Sequence, residues 1–232
     1  MKKEIIGLRF DFEETLLGSA SGNPEIHEQF IASKAPTTAE TAEEVAAVSD
    51  ETVEEMIQKH STIFPKDETG LFIWNYQMRG CFKENLHALI TLGDISHVSA
   101  WSYKTAVDQY IMVNPRRIYL HAPDGTIIQE PSGTLQRSMR VDTLQGPRVA
   151  LARSETVPGG TWIQFQVSMF LPTVGPRMKK DGTPRKAPPL FLRQNLMDAI
   201  EFASEQGFLQ WRTGGYGRFR YTETTESKAA AA

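Results

Sequence analysis

Between Glu4 and Phe12, Ile6, Leu8, Phe10 and Phe12 alternate with Gly7, Arg9 and Asp11. A strand points successive side chains to opposite faces, so this period of two sets four large apolar groups on one side. The stretch reads as a half-buried β-strand, and the rest of the chain has to supply a layer that covers it. Asn75 to Leu92 is the strongest candidate for that layer. Met78, Phe82, Leu86, Leu89 and Ile90 recur at spacings of three and four and define one apolar helical face, with Arg79 and Lys83 beside it. A second helix runs from about Leu192 to Gly207, with Leu196, Ile200 and Ala203 in its stripe and glycine as the expected cap.

Further strands are expected at Arg117 to His121, Thr126 to Gln129, Val149 to Thr156 and Thr161 to Phe170, with a short strand or turn within residues 62–73. In the strand from Thr161, Trp162, Phe165, Val167 and Met169 are the apolar residues. Pro158-Gly159-Gly160 ahead of it is a turn signal, so residues 149–170 read as a hairpin. Thr37 followed by Glu40 marks a capping box that starts acidic helices over Thr37 to Lys59. Pro172 to Pro189 holds five prolines, two glycines and five basic residues against Asp181 alone, a composition that keeps a segment extended.

A hydrophobic share of 40% and a charged share of 23% over 232 residues suit one soluble globular domain. The single cysteine, Cys81, excludes an internal disulfide and a cysteine metal site and suits a cytoplasmic setting. No apolar run approaches the roughly 18 residues of a membrane helix, and the Met1-Lys2-Lys3-Glu4 start lacks a signal-peptide core. The net charge of −3 conceals a split: residues 1–69 balance at −9 and residues 70–232 at +6. Either an acidic insertion sits beside a more basic functional body, or the acidic part is an ordinary solvated helical face.

His27, His60, His87, His97 and His121 show no zinc-ligand spacing, so neither a metal nor another cofactor is expected. Ser19 and Ser21 lack a nucleophile-elbow context, there is no Walker sequence, and Gly214-Gly215-Tyr216-Gly217 follows a helix and precedes a strand, the reverse of a dinucleotide fingerprint. What remains is basic and aromatic residues on glycine-rich backbone: Trp211, Arg212, Tyr216, Arg218 and Arg220. Rings that stack and cations that neutralise phosphates suit unpaired nucleic acid. Alternating aromatics in a strand also serve as core, the reading that fits Phe219 and Tyr221.

Four segments, in order, resemble the RAMP superfamily, ferredoxin-like RNA-binding proteins that include the backbone subunit of CRISPR effector complexes. They are Glu13 to Gly22, ending in Thr15-Leu16-Leu17-Gly18-Ser19-Ala20-Ser21-Gly22; Phe72 to Lys83, with Arg79-Gly80 standing at the family's lysine-glycine; Ser154 to Trp162, similar to a glutamate, valine-proline, glycine-threonine turn; and Gly207 to Tyr221, centred on Gly214-Gly215-Tyr216-Gly217-Arg218. The resemblance implies an α+β, ferredoxin-like (RRM-like) βαββαβ core in a single domain over residues 1–226. Residues 35–68 would be an acidic helical insertion, residues 172–189 a basic, proline-rich arm, and residues 227–232 a tail. It further implies single-stranded nucleic acid, RNA above all, as partner, with self-association or other effector subunits beside it. The contacts would be Ser19, Asn23, Gln77, Arg79, Lys83, Lys179, Lys180, Arg212, Gly214, Gly215, Gly217 and Arg218, with Arg79 and Arg218 converging on one cleft.

The sequence departs from the family at Trp74-Asn75, which replaces proline-glycine, and in the loop after the first strand. Gly22-Asn23-Pro24 there carries no aspartate of the kind that supports metal-dependent RNA cutting in some branches. The chain also resembles uncharacterised prophage proteins. Three functions are weighed: a non-catalytic RNA-binding subunit in antiviral defence, stacking side by side along a strand; a phage accessory protein that binds a protein partner or single-stranded DNA; and a metal-independent endoribonuclease using His27 near Glu25 and Glu28.

Overall fold

The computed structural model describes residues 2–21, 61–95, 103–143, 146–171 and 193–224. Among these the chain is a mixed α+β protein with three α-helices and several sheets built mainly from antiparallel pairs. The elements are β1 (Lys2–Phe12), β2 (Leu16–Leu17), β3 (Ala20–Ser21), β4 (Ser61–Ile63), β5 (Lys66–Asp67), β6 (Gly70–Trp74), α1 (Asn75–Leu92), α2 (Tyr103–Tyr110), β7 (Ile111–Asn114), β8 (Arg117–Tyr119), β9 (Gly133–Thr143), β10 (Gly146–Val157), β11 (Trp162–Leu171), α3 (Arg193–Gln206) and β12 (Phe219–Thr224).

The central sheet has the order β12-β1-β11-β7, and every neighbouring pair in it is antiparallel. Its inward face follows from the period of two: Ile6, Leu8, Phe10 and Phe12 on β1 and Ile163, Phe165, Val167 and Met169 on β11 are all buried. Phe10 stacks on Phe219 with centroids 4.2 Å apart and meets Phe165 edge-on at 5.0 Å, so one aromatic layer spans three neighbouring strands. Helices α1 and α3 cover this face with Met78, Phe82, Leu86 and Leu89 from one and Leu196, Ala199, Ile200 and Ala203 from the other. Burying each Phe or Leu stabilises the fold by roughly 1.5–3 kcal/mol. Arg193, at the start of α3, pairs with Glu4 at 3.1 Å and with Glu223, tying the helix to two strands of the sheet.

A second sheet has β10 as its spine. It pairs with β9 along its length, parallel with β4 at Arg153 and Ser154, and antiparallel with β2 at Thr156 and Val157. A third sheet, β5-β6-β8, is fastened by Asp67, whose carboxylate accepts from Arg117 at 2.7 Å, the Tyr119 hydroxyl at 2.9 Å and the Thr69 amide at 2.9 Å.

Three expectations change. Residues 149–170 are not a hairpin: β10 pairs with β9, and β11 pairs with β1 and β7. The Pro158-Gly159-Gly160 turn passes the chain from one sheet to the other, because the Gly160 amide donates to Phe12 O at 2.7 Å and the Phe12 amide to Thr161 O at 2.8 Å. Trp162 lies on the sheet face opposite Ile163 and Phe165, against His121 and Arg9. The expected strand at Thr126 to Gln129 reduces to a single bridge between Ile127 and His121. The acidic helices of residues 37–59 and the arm of residues 172–189 lie outside the described residues.

Candidate nucleic-acid interface

The loop between α3 and β12 is a closed structure. Gly207, at φ +94°, ends the helix, and Gly215 and Gly217 adopt φ +83° and +71°, a region closed to most side chains. The amide of Phe208 donates to Gly217 O at 2.9 Å, which brings the two ends of the loop together. A Cβ on Gly207 would run into the Tyr216 carbonyl oxygen, so only glycine permits that approach. Leu209 and Trp211 hold positive φ, +65° and +51°, without being glycine. Such backbone costs on the order of 1–3 kcal/mol per residue and persists only where its surroundings impose it.

Those surroundings are the loop after β1 and the ends of β4 and β10. Gly217 N donates to Thr15 O at 3.0 Å and Glu13 N to Arg218 O at 2.9 Å. Gly18 N donates to Glu155 O at 2.9 Å, and a Cβ at Gly18 would sit 2.6 Å from the Ile63 carbonyl carbon. Gln210 Oε1 closes a triangle with Thr62 Oγ1 at 3.2 Å and Ser154 Oγ at 3.3 Å, the two hydroxyls being 2.8 Å apart. The half-buried Glu155 carboxylate accepts the Phe64 amide at 2.8 Å; burial lifts its pKa, and that hydrogen bond and nearby Lys66 only partly offset the rise.

On this frame stand the rings and cations. Trp211 and Tyr216 stack with centroids 4.9 Å apart, and the Arg137 guanidinium lies 4.4 Å from the Trp211 ring centroid. Trp211 remains 38% exposed. Arg212 pairs with Glu84 of α1.

Of the residues expected from sequence, Ser19, Gln77, Arg212, Gly214, Gly215, Gly217 and Arg218 belong to this frame. Gln77 uses both ends of its amide: Oε1 accepts the Trp74 amide at 2.8 Å, capping α1, and Nε2 donates to Ser19 Oγ at 2.6 Å. It therefore positions the Ser19 loop. Gly214 lies under Trp211, where a Cβ would be 2.8 Å from the indole, and Gly215 faces open space. Arg218 has an exposed side chain on a fixed backbone. Arg79 and Lys83 stand elsewhere. At about 100° per residue, Arg79 is turned some 160° from Gln77 on α1, and Lys83 pairs with Asp108 of α2, so both face the α2 flank. Asn23, Lys179 and Lys180 lie outside the described residues, as do Glu25, His27 and Glu28.

Arg137 was not anticipated. It sits on β9, a polar strand recognisable only from its pairing with β10, where Arg137 opposes Ala152. Among the described residues no group of His, Cys, Asp or Glu could hold a metal ion, and no helix is long and apolar enough to cross a membrane.

No protein-family model matches the sequence, and no curated protein matches it. Among solved structures, a chain of a Type IV-B CRISPR complex is similar at 10% identity and a TM-score of 0.40, over 99% of this chain and 94% of that one. At that level of likeness, fold and function have to be argued from the chain itself.

Proposed function

We propose that this protein is a non-catalytic, RNA-binding, backbone-type subunit of the kind found in the RAMP superfamily, assembling side by side along a single strand. One observation carries the reading: the glycine-rich closing loop, with its stacked rings and nearby cations, is locked against the loop after β1 by Gly217–Thr15 and Glu13–Arg218 hydrogen bonds. These are two of the four segments that carry the family resemblance. The central sheet supports the same reading. With α1 between β1 and β7 and α3 between β11 and β12, its order β12-β1-β11-β7 is that expected of a ferredoxin-like βαββαβ core. The role in this reading is one of holding a strand. Backbone turns and cations position phosphates, and exposed rings accept unpaired bases.

The test is fluorescence anisotropy of the purified full chain with a labelled single-stranded RNA, titrated across salt concentrations and followed by size exclusion of the complex. The expected result is binding that weakens steeply with salt, a preference for single strands over duplex, and more than one copy of the chain on a long RNA. Binding that ignores salt, or no binding at low salt, overturns the reading. Cleavage of the RNA during the titration would overturn its non-catalytic part.

A further inference from the structure

Two of the Arg–Trp stacks among the described residues can be compared, each setting a guanidinium and a second ring against an indole. Trp162 lies between His121, with ring centroids 4.1 Å apart at 10°, and the Arg9 guanidinium at 4.0 Å, since two groups that close to one centroid occupy opposite faces. Arg9 is satisfied: Asp11 takes its Nε at 2.9 Å and its Nη2 at 2.6 Å. That stack is complete as it stands. Arg137 on Trp211 is not, because its Nε and Nη1 are buried and neither has a hydrogen-bond partner among the described residues. Leaving donors of a charged group buried and unpaired costs several kcal/mol in general, and native proteins ordinarily avoid it. Among the described residues no carboxylate does for Arg137 what Asp11 does for Arg9.

The Arg137 guanidinium also lies against the closing loop. Trp211 is held at positive φ, with Gly214 beneath its indole, Tyr216 stacked on it and more than a third of its surface open. A partly exposed ring pair beside a cation is a surface that a flat, anionic ligand can use.

We propose that Arg137, Trp211 and Tyr216 form a single-nucleotide subsite, in which the unpaired base stacks on Tyr216 on the side away from Trp211, Trp211 backs that ring, and the Arg137 charge attracts the phosphate. This rests on the RNA-binding reading and adds to it which residues read the base and which the phosphate. A guanidinium with no carboxylate beside it keeps its full charge for a phosphate, and a tyrosine ring accepts any base face, so the subsite is tolerant of sequence.

The experiment compares two labelled probes of equal length, oligouridylate RNA and an abasic ribose-phosphate strand, on the wild type and on Tyr216→Leu, Tyr216→Phe and Arg137→Gln, each checked for an unchanged unfolding midpoint. Tyr216→Leu is expected to weaken oligouridylate about tenfold while leaving the abasic strand unchanged, and Tyr216→Phe to restore binding. Arg137→Gln is expected to weaken both probes and to flatten the salt dependence by about 0.7 in log–log slope. Should Arg137→Gln disturb folding, the Tyr216 pair decides the matter alone. Wild-type binding that Tyr216→Leu leaves intact, or weakens equally for both probes, rejects the subsite and leaves the RNA-binding reading standing. Failure of the wild type to bind either probe ends both.

Discussion

Replacing Gly217 with alanine isolates the closure of the loop on which the interface depends. Gly215 provides the control, since both residues have left-handed backbone, at φ +71° and +83°. Alanine in that region costs about 1 kcal/mol relative to glycine, and for Gly215 that is the whole effect, because a Cβ there meets nothing within 4 Å. At Gly217 the added carbon would run into the Phe208 carbonyl oxygen and lie 3.0 Å from the Phe208 nitrogen. The contact is with backbone, so no rotamer relieves it. The loop would have to open at Gly217 N–Thr15 O and Phe208 N–Gly217 O, which are 3.0 and 2.9 Å now. At about 1 kcal/mol for each bond, Gly217→Ala should cost about 3 kcal/mol in all. For a protein of this size that is a fall in Tm of about 6–12 °C, against 2–4 °C for Gly215→Ala. Thermal and urea unfolding of the two variants beside the wild type measure the difference. If Gly217→Ala proves no more damaging than Gly215→Ala, the loop is not locked as described and the reasoning fails.

Two further outcomes are expected. For Asp67, burial raises the carboxyl pKa, but the Tyr119 hydroxyl, the Thr69 and Gly70 amides and Arg117 together hold it below its ordinary value. The stability this supplies is present above the ordinary carboxylate range and is lost as pH falls through the lowered pKa. Asp67→Asn should therefore cost about 1–3 kcal/mol at neutral pH and progressively less in acid; a deficit independent of pH would refute this. The Cys81 thiol is pushed up to about 12, chiefly by burial, so it should resist an aromatic disulfide reagent at pH 8 until the protein is unfolded in urea. Rapid stoichiometric labelling of the native chain would contradict the packing of α1.

The elements that were legible in the sequence are those whose core faces run long. Ile6 to Phe12 and Met78 to Leu89 each repeat their period several times, and they became β1 and α1 with boundaries close to those expected. Helix α2 spans 8 residues and β7 spans 4, too few repeats for a period to stand out. The error over residues 149–170 has a different cause. Pro158-Gly159-Gly160 has hairpin chemistry, but local chemistry does not encode the partner: Gly160 is claimed by Phe12, almost 150 residues earlier in the chain. Arg137 illustrates the same limit in the site. Nothing near it in sequence marks it, and only the β9–β10 register and the path of the closing loop bring it to Trp211. Motif position singles out Arg79 but does not specify which side of the helix it occupies.

The strain at Leu209 and Trp211 then has a mechanical explanation. Three consecutive side chains must go to three places: Leu209 packs against the core, Gln210 reaches Thr62 and Ser154, and Trp211 meets Arg137 and Tyr216. Neither a helix nor a strand distributes three successive residues in that way, since one advances them by about 100° and the other by 180°. Left-handed backbone on either side of Gln210 accomplishes it, with Gln210 as the peg that holds the turn to β4 and β10. Because the peg is a side chain with neutral hydroxyl partners, it adds little net stability of its own, about 1 kcal/mol per bond. The loop is therefore held mainly by the Gly217 and Phe208 backbone bonds. A ligand that stacks on Tyr216, which Trp211 backs, would bind only the closed loop, so it should raise the unfolding midpoint of the wild type more than that of Gly217→Ala at equal ligand concentration.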